Sequence, residues 1–564
     1  MTAAREPRSH RSTWRPGITT APPGLLGGNA RAHARRVTGG IMNERGRRLL
    51  LTAAAGLLTL PPLGVATEAR ASADSCAAGM RSDFNGDGRS DALVGDPGAT
   101  VNGQAGAGRI VVLYGDADGL VGEGARSVLW QGAASVAGTA EAGDQFGYAI
   151  ATADVNCDGF TDAVAGTPFE DIGGQADSGY VQVIWGAASG LGTGAVSTQY
   201  TQASFGQPVT AGDQFGYAVD LVEDLGQGGT PAPDAYALAI GVPGANVNGH
   251  DDAGAFAVRA AYDGGTETFW ITQDTPGVVG AAEPGDRFGA ALACGYLSSP
   301  DNVTDIVDCA VGAPREDIGS KADAGSVIVV EEIYYSDELS SYSLDQDAPG
   351  VPGTAEKGDR YGSTVDAIRV GSASRLAVGA PGEDIGSDAD AGLVQLFSSD
   401  RRDISIGTSL TQDTAGVGDS AEPGDEFGGS LAWIAPGLGD THTRLAVGVP
   451  GEKVNGYEDA GQVQVFPIDS LGSEVTYTQD SAGFLSAARS NDRFGERVST
   501  VFGATERVLL IGSPTDTTYA TGLVHVVPFG GGAVRSWRPG AGGIPAAGAD
   551  RFGGSLAGVP GGTT

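Results

Sequence analysis

The sequence predicts an all-β fold, a seven-bladed β-propeller of four-stranded antiparallel blades whose ring is closed by N- and C-terminal strands sharing one blade. Three observations predict it. The pentapeptide Gly143-Asp144-Gln145-Phe146-Gly147 returns as Gly-Asp-x-Phe/Tyr-Gly around Phe215, Phe288, Tyr361 and Phe427, with variants at Phe494 and Phe552. A Gly-x-Pro follows at Gly95, Gly166, Gly241, Gly312, Gly379, Gly448 and Gly512. Between these marks lie short runs rich in Val, Ile, Tyr and Phe, broken by Gly and Asp-Gly turns, the pattern of short antiparallel strands. Self-similarity at a fixed long period sets the architecture before any local reading. Small sheets arranged radially cover one another's apolar faces.

In chain order, a leader comes first. The chain has 564 residues and a formal net charge of −35, yet residues 1–71 hold 11 Arg, no Lys and only three acids, Glu6, Glu44 and Glu68. The remainder carries 23 basic and 66 acidic residues, a net −43. Such a surface repels phosphate backbones and anionic lipid, so nucleic-acid and membrane-surface roles are disfavoured and cationic partners are favoured. Arg45, Arg47 and Arg48 precede an apolar run at 49–65, and Ala69-Arg70-Ala71 supplies a small-x-small cleavage pattern. Residues 42–71 therefore read as a secretory signal. The run contains Pro61-Pro62 and falls short of the ~20 residues a spanning helix needs. Arg47-Arg48 before three leucines also permits a twin-arginine route. Residues 1–41 lack a fold pattern and read as a disordered or spurious extension ahead of a true start at Met42. Residues 74–564 are assigned to the propeller, expected to be a secreted monomer without a membrane span.

The four cysteines are Cys76, Cys157, Cys294 and Cys309. An even number in an exported chain favours disulfides. Cys294 and Cys309 flank one hairpin-like segment; Cys76 and Cys157 would join neighbouring repeats.

Within the repeat at 144–202, strands are expected at 146–152, 163–166, 179–185 and, more weakly, 197–201. The Gly-x-Pro ends pairing of the second strand, because Pro lacks an N–H and Gly permits a sharp exit. The anchor aromatic is expected between adjacent sheets, with the following Gly allowing close backbone approach. The N-terminal piece owns a Gly-x-Pro and a strand at 108–114 but no anchor, whereas the C-terminal piece has an anchor at Phe552 and little after it. Sharing one blade resolves both deficits and leaves no exposed sheet edge.

Two loops carry chemistry. Asp83, Asn85, Asp87 and Asp91 place oxygen side chains at positions one, three, five and nine, with Gly88 at six; Asp154, Asn156, Asp158 and Asp162 repeat the pattern around Gly159. Alternating oxygen donors around a Gly-enabled turn suit Ca²⁺, which takes ~6–8 oxygen ligands, and the carbonyls of Arg89 and Phe160 at position seven would complete each cage. Position twelve is Val94 or Ala165, so an EF-hand is excluded. Elsewhere the place is degenerate: 220–234 loses the spacing, 294–309 is bounded by cysteines, and 367–376, 434–445 and 501–508 offer no cage. Calcium is expected to stabilise two neighbouring blades only. A second acidic loop follows Gly-x-Pro, with Asp171 and Asp177, Asp317 and Asp323, Asp384 and Asp390 as a collar for a cationic partner; such loops otherwise merely make turns.

These residues resemble the FG-GAP repeat, the blade unit of the integrin alpha-subunit head. Phe146-Gly147 stands for the "FG", Gly312-Ala313-Pro314 and Gly379-Ala380-Pro381 spell "GAP", and both Asp/Asn loops match the family's calcium loops. The resemblance runs from about Asp83 to the C-terminus. It implies a seven-bladed propeller with Ca²⁺ in blade hairpins and, from integrins, adhesion to an extracellular protein or glycan. Leg domains and a membrane span are missing.

Enzyme motifs are missing as well. Beyond the leader only His250, His442 and His525 occur, dispersed, and there is no Gly-x-Ser-x-Gly or His-Glu-x-x-His. The expectation is a secreted calcium-binding interaction module with no catalytic residue. A secreted hydrolase or lyase using the propeller face, and a purely structural extracellular protein, are the alternatives.

Overall fold

The computed structural model describes residues 82–223, 236–262, 265–297, 307–333, 339–371, 373–400, 403–437, 440–503, 507–529, 532–548 and 550–557. The chain divides into units Met1–Ala69 and Arg70–Thr564, and the described residues all belong to the second. The expected extension at 1–41, the signal at 42–71 and Cys76 lie outside them.

Seven four-stranded antiparallel sheets form the unit. Blade 2 has strands Ala149–Ala153, Asp162–Thr167, Tyr180–Ile184 and Thr198–Tyr200, in that order across the sheet. Blades 3 to 7 follow over 219–271, 291–344, 364–410, 430–477 and 497–537. Their first strands contact one another around the axis and their fourth strands lie outermost. Blade 1 takes its innermost strand, Ser555–Ala557, from the C-terminal end and the other three, Ala92–Asp96, Arg109–Leu113 and Arg126–Leu129, from the N-terminal end. The shared closing blade is therefore present.

The anchor lies ahead of the first strand rather than inside it, as the expected span of 146–152 had it. Gln145 (φ 57°) and Gly147 (φ 80°) are left-handed and turn the chain, so pairing begins only at Ala149. All seven anchor aromatics are 0% exposed. Phe146 packs with Leu93, Ile110 and Val112 of blade 1 and with Ile150, Ala163 and Ala165 of its own blade. Each ring therefore plugs a blade junction, a burial worth about 1.5–3 kcal/mol.

The two glycines of the repeat meet at the same place. Gly147 N–H donates to the Gly166 carbonyl (3.1 Å), and Phe146 N–H donates to Ala107 of the preceding blade (2.9 Å). A Cβ on Gly166 would collide with the Gly216 carbonyl oxygen of blade 3. Backbone thus abuts backbone from blade to blade, which leaves no room for a side chain. The closing junction does the same, with Gly553 N–H donating to the Gly95 carbonyl (3.0 Å).

Candidate metal loops and loop faces

The first candidate loop precedes the second strand of blade 1, and the second joins strands one and two of blade 2. Both therefore lie at the same end of their blades. Their hydrogen bonds match position by position. Asp83 accepts backbone N–H groups from Asp87 (3.2 Å) and Gly88 (2.8 Å), Asn85 accepts from Asp87 (3.0 Å), and Asp87 accepts from Arg89 (3.0 Å). Asp154 accepts from Asp158 (3.1 Å) and Gly159 (3.0 Å), Asn156 from Asp158 (3.0 Å), and Asp158 from Phe160 (3.0 Å). The ninth residue ties each loop down: Asp91 accepts from Phe84 (2.9 Å) and Gly115 (2.8 Å), Asp162 from Val155 (3.0 Å) and Gly186 (2.7 Å).

The two loops also touch. Thr161 N–H donates to the Asp83 carbonyl (2.8 Å), and Asp83 N–H donates to Thr161 Oγ1 (2.9 Å). The Phe160 ring lies where a Cβ on Gly86 would be, at 2.6 Å. Burial, and then the neighbouring loop carboxylates, push Asp91 and Asp162 up to about 8 and Asp154 to about 6; Asp83 is raised by the same causes. Arg89, paired with Asp87 at 3.0 Å and part-exposed, brings a cation to loop one. Hard oxygen donors at positions one, three and five, with excess negative charge behind them, suit a hard cation. Among the described residues no group of three or more His, Cys, Asp or Glu side chains stands ready to hold a metal ion; the loop oxygens face the loops' own N–H groups instead.

Other blades replace the loop. Cys294 and Cys309 are directly opposed across the first two strands of blade 4 and form a disulfide, as expected. Cys157 is disulfide-bonded, and its expected partner Cys76 lies outside the described residues. Asp220 opens the degenerate stretch in blade 3; 224–235 are not among the described residues. Its carboxylate accepts Cys294 N–H of blade 4 (2.7 Å), just as Asp366 of blade 5 accepts Trp433 N–H of blade 6 (2.6 Å).

The acidic collar occupies the opposite end of the blades, between strands two and three. Asp171, Asp317 and Asp384 each cap the loop, accepting the N–H of Asp177 (2.9 Å), Asp323 (3.0 Å) and Asp390 (3.0 Å). The latter three are left-handed, at φ 51°, 54° and 53°. Half of the collar therefore builds the turn that presents the other half. Asp390 is met by Arg360 at 3.2 Å.

Two features escape sequence reading. The x positions of the anchors form an axial ring containing Arg287, Arg360, Arg493 and Arg551, and these charges are largely answered in place. Arg493 pairs with Glu426 (2.7 Å) and Glu496 (3.2 Å), Arg551 with Glu496 (3.3 Å), and Arg287 lies over Tyr217 while donating to Gln214 (2.9 Å). A buried glutamine also stands two residues beyond each fourth strand of blades 1 to 6: Gln131, Gln202, Gln273, Gln346, Gln412 and Gln479. Their return at the repeat period was the available signal.

The histidines lie in different blades. His442 pairs with Asp469 (2.8 Å) near the surface, and burial pushes the enclosed His525 down to about 3.

Comparison with known proteins places residues 146–197, blade 2 from its anchor to the edge of its outermost strand, in the FG-GAP repeat family. Comparison with characterised protein sequences gives no match. Among solved structures, the chain is similar to the complex of the GH93 alpha-L-arabinofuranosidase of Fusarium graminearum with arabinobiose. The identity is 9% and the TM-score 0.34, over 59% of this chain and 83% of that one. The other blades repeat the anchor burial and glycine contacts of the matched segment, and the chain is a seven-bladed β-propeller of which residues 146–197 match the FG-GAP repeat.

Proposed function

We propose that this propeller is a secreted, calcium-stabilised interaction module, integrin-like in kind, whose acidic loop face engages an extracellular protein or glycan. The pair of touching Asx loops carries the reading. Each gathers Asp, Asn and Asp side chains at alternating positions, anchored by a ninth Asp whose burial, with the neighbouring carboxylates, raises its pKa. Asp83, Asn85, Asp87 and Asp91 with the Arg89 carbonyl, and Asp154, Asn156, Asp158 and Asp162 with the Phe160 carbonyl, would hold the ions. Bound Ca²⁺ would supply the positive charge these carboxylates lack. The Cys294–Cys309 disulfide supports an oxidising, extracellular compartment. The reading assigns no catalytic residue, and no helix among the described residues is long and apolar enough to cross a membrane.

The test has two arms. Chelation should lower the melting temperature of the full chain, and Asp87→Ala with Asp158→Ala should abolish that response; an identical melt with and without chelator removes the calcium reading. Replacing Asp317, Asp323, Asp384 and Asp390 by Asn keeps the turn-capping acceptors and removes the charge. Capture of partners from the producing culture should then fall several-fold, whereas undiminished capture removes the collar from the reading.

A further inference from the structure

One polar arrangement recurs at the blade junctions and serves none of the roles above. The glutamine after each fourth strand is at most 2% exposed and reaches the next blade. Gln131 Nε2 donates to Glu170 (2.7 Å), Gln273 to Glu316 (2.6 Å), Gln346 to Glu383 (2.5 Å), Gln412 to Glu452 (2.6 Å) and Gln479 to Asp516 (2.8 Å). Each acceptor stands two residues after the Pro of Gly-x-Pro. In the remaining case the position is Ala245, and Gln202 turns to the anchor Asp213 (3.2 Å).

Beside each acceptor lies the anchor aspartate of the same blade, Asp144, Asp286, Asp359, Asp425 or Asp492, at most 3% exposed. All six glutamine Oε1 atoms are buried without a hydrogen-bond partner among the described residues. An unanswered buried acceptor is destabilising, so six in register need an explanation.

Carboxylates crowd these sites. Glu170 faces Asp144, Glu141 and Asp171, with Gln131 donating to it. Glu316 faces Asp286, Glu283, Asp317 and Asp345. Glu383 faces Asp359, Glu356 and Asp384, and the adjacent Arg360 turns away to Asp390. Glu452 faces Asp425, Asp419 and Glu422, and receives Gln462 as well as Gln412. The seventh junction shows the contrast: there Asp96 and Asp550 bracket the buried Arg109 at 2.9 and 3.3 Å, so that pair of carboxylates has its own cation. Among the described residues no Lys or Arg forms an ion pair with Glu170, Glu316, Glu383 or Glu452; Arg360 pairs with Asp390 and Lys453 with Glu458.

We propose that Glu170, Glu316, Glu383 and Glu452 are protonated in the closed propeller, each pairing as a carboxylic acid with the carboxamide of the preceding blade, and that their ionisation loosens the ring as pH rises. In each pair the glutamine Nε2–H donates to one glutamate oxygen, and the glutamate O–H donates to the orphaned Oε1. Both groups are then satisfied. On ionisation the proton passes to water, and the carboxylate remains beside the anchor Asp. Burial, then the surrounding carboxylates, hold Glu170 and Glu383 near 7 and Glu452 near 8, with Glu316 raised likewise. These folded values exceed the ordinary carboxylate value. The native state therefore keeps protons that the unfolded chain has lost, and stability falls as pH rises from about 5 toward 8.

The test is denaturant unfolding of the full chain between pH 5 and 9, in saturating Ca²⁺ so that the metal loops stay constant. Each group should make the folding equilibrium about tenfold less favourable per pH unit within its window. Glu383→Gln with Glu452→Gln, which imitates the protonated pair, should remove two such factors and raise the midpoint at pH 8. Equal pH slopes in wild type and variant would overturn the proposal. Should the variant fail to fold, infrared spectra of the wild type decide: the C=O stretch of protonated carboxyl groups should be present at pH 6 and fade by pH 9. Its absence at pH 6 equally overturns it.

Discussion

At the scale of single residues, the repeat is enforced by what cannot be present. Gly166 faces the Gly216 carbonyl of the next blade, backbone against backbone, so neither partner yields. Gly166→Ala should cost upwards of about 3 kcal/mol, as overpacking at a rigid site does. Gly173 is left-handed (φ 63°) and meets nothing within 4 Å, so Gly173→Ala should cost only about 1 kcal/mol. Urea midpoints of the two variants check the difference; equal losses would mean that the junction glycines act through conformation alone. The motif was legible because the contact recurs: a glycine is needed wherever backbone abuts backbone between blades, and it leaves its mark in every repeat. The pairing of Gln131 was not legible: its return at the repeat period could mark it as structural, but its partner Glu170 comes from another blade.

At the scale of elements, the hairpin between the first and second strands is the variable part. Blades 1 and 2 fill it with Asx loops and blade 4 clasps it with a disulfide, while in blades 3 and 5 an Asp on the first strand reaches the neighbouring first strand. These are different ways of tying an inner hairpin that is too narrow for a core of its own. Cys294 and Cys309 close a loop of 15 residues, and removing both thiols as Cys294→Ser with Cys309→Ser should lower stability by about 3 kcal/mol. The calcium response should be unchanged, because the loops stand in other blades; calorimetry with and without Ca²⁺ would expose any coupling. The disulfide and the loop spacings were legible from sequence, where they are contiguous. The Asp220 and Asp366 bridges were not, because their acceptor role depends on a backbone N–H some seventy residues away.

At the scale of the molecule, the ring is fastened by few residues. Leu93, Val94 and Gly95 pair with Ala557, Leu556 and Ser555, Gly553 N–H reaches the Gly95 carbonyl, and Arg551 N–H reaches Asp96 (2.7 Å). A chain ending at Phe552 loses the closing strand, at about 1 kcal/mol per lost hydrogen bond, and bares the edge of Ala92–Asp96. Size exclusion should show self-association and unfolding should begin at lower denaturant; a monomer of unchanged midpoint would mean that the ring holds without its clasp. Seven blades, four strands in each and a shared closing blade were all determined by the sequence, because each follows from a pattern repeated within tens of residues. Which carboxylates face one another was decided only by the tertiary structure. Curvature of the ring brings the glutamine of one blade onto the glutamate of the next, and burial there, not spacing along the chain, sets whether a carboxyl group keeps its proton.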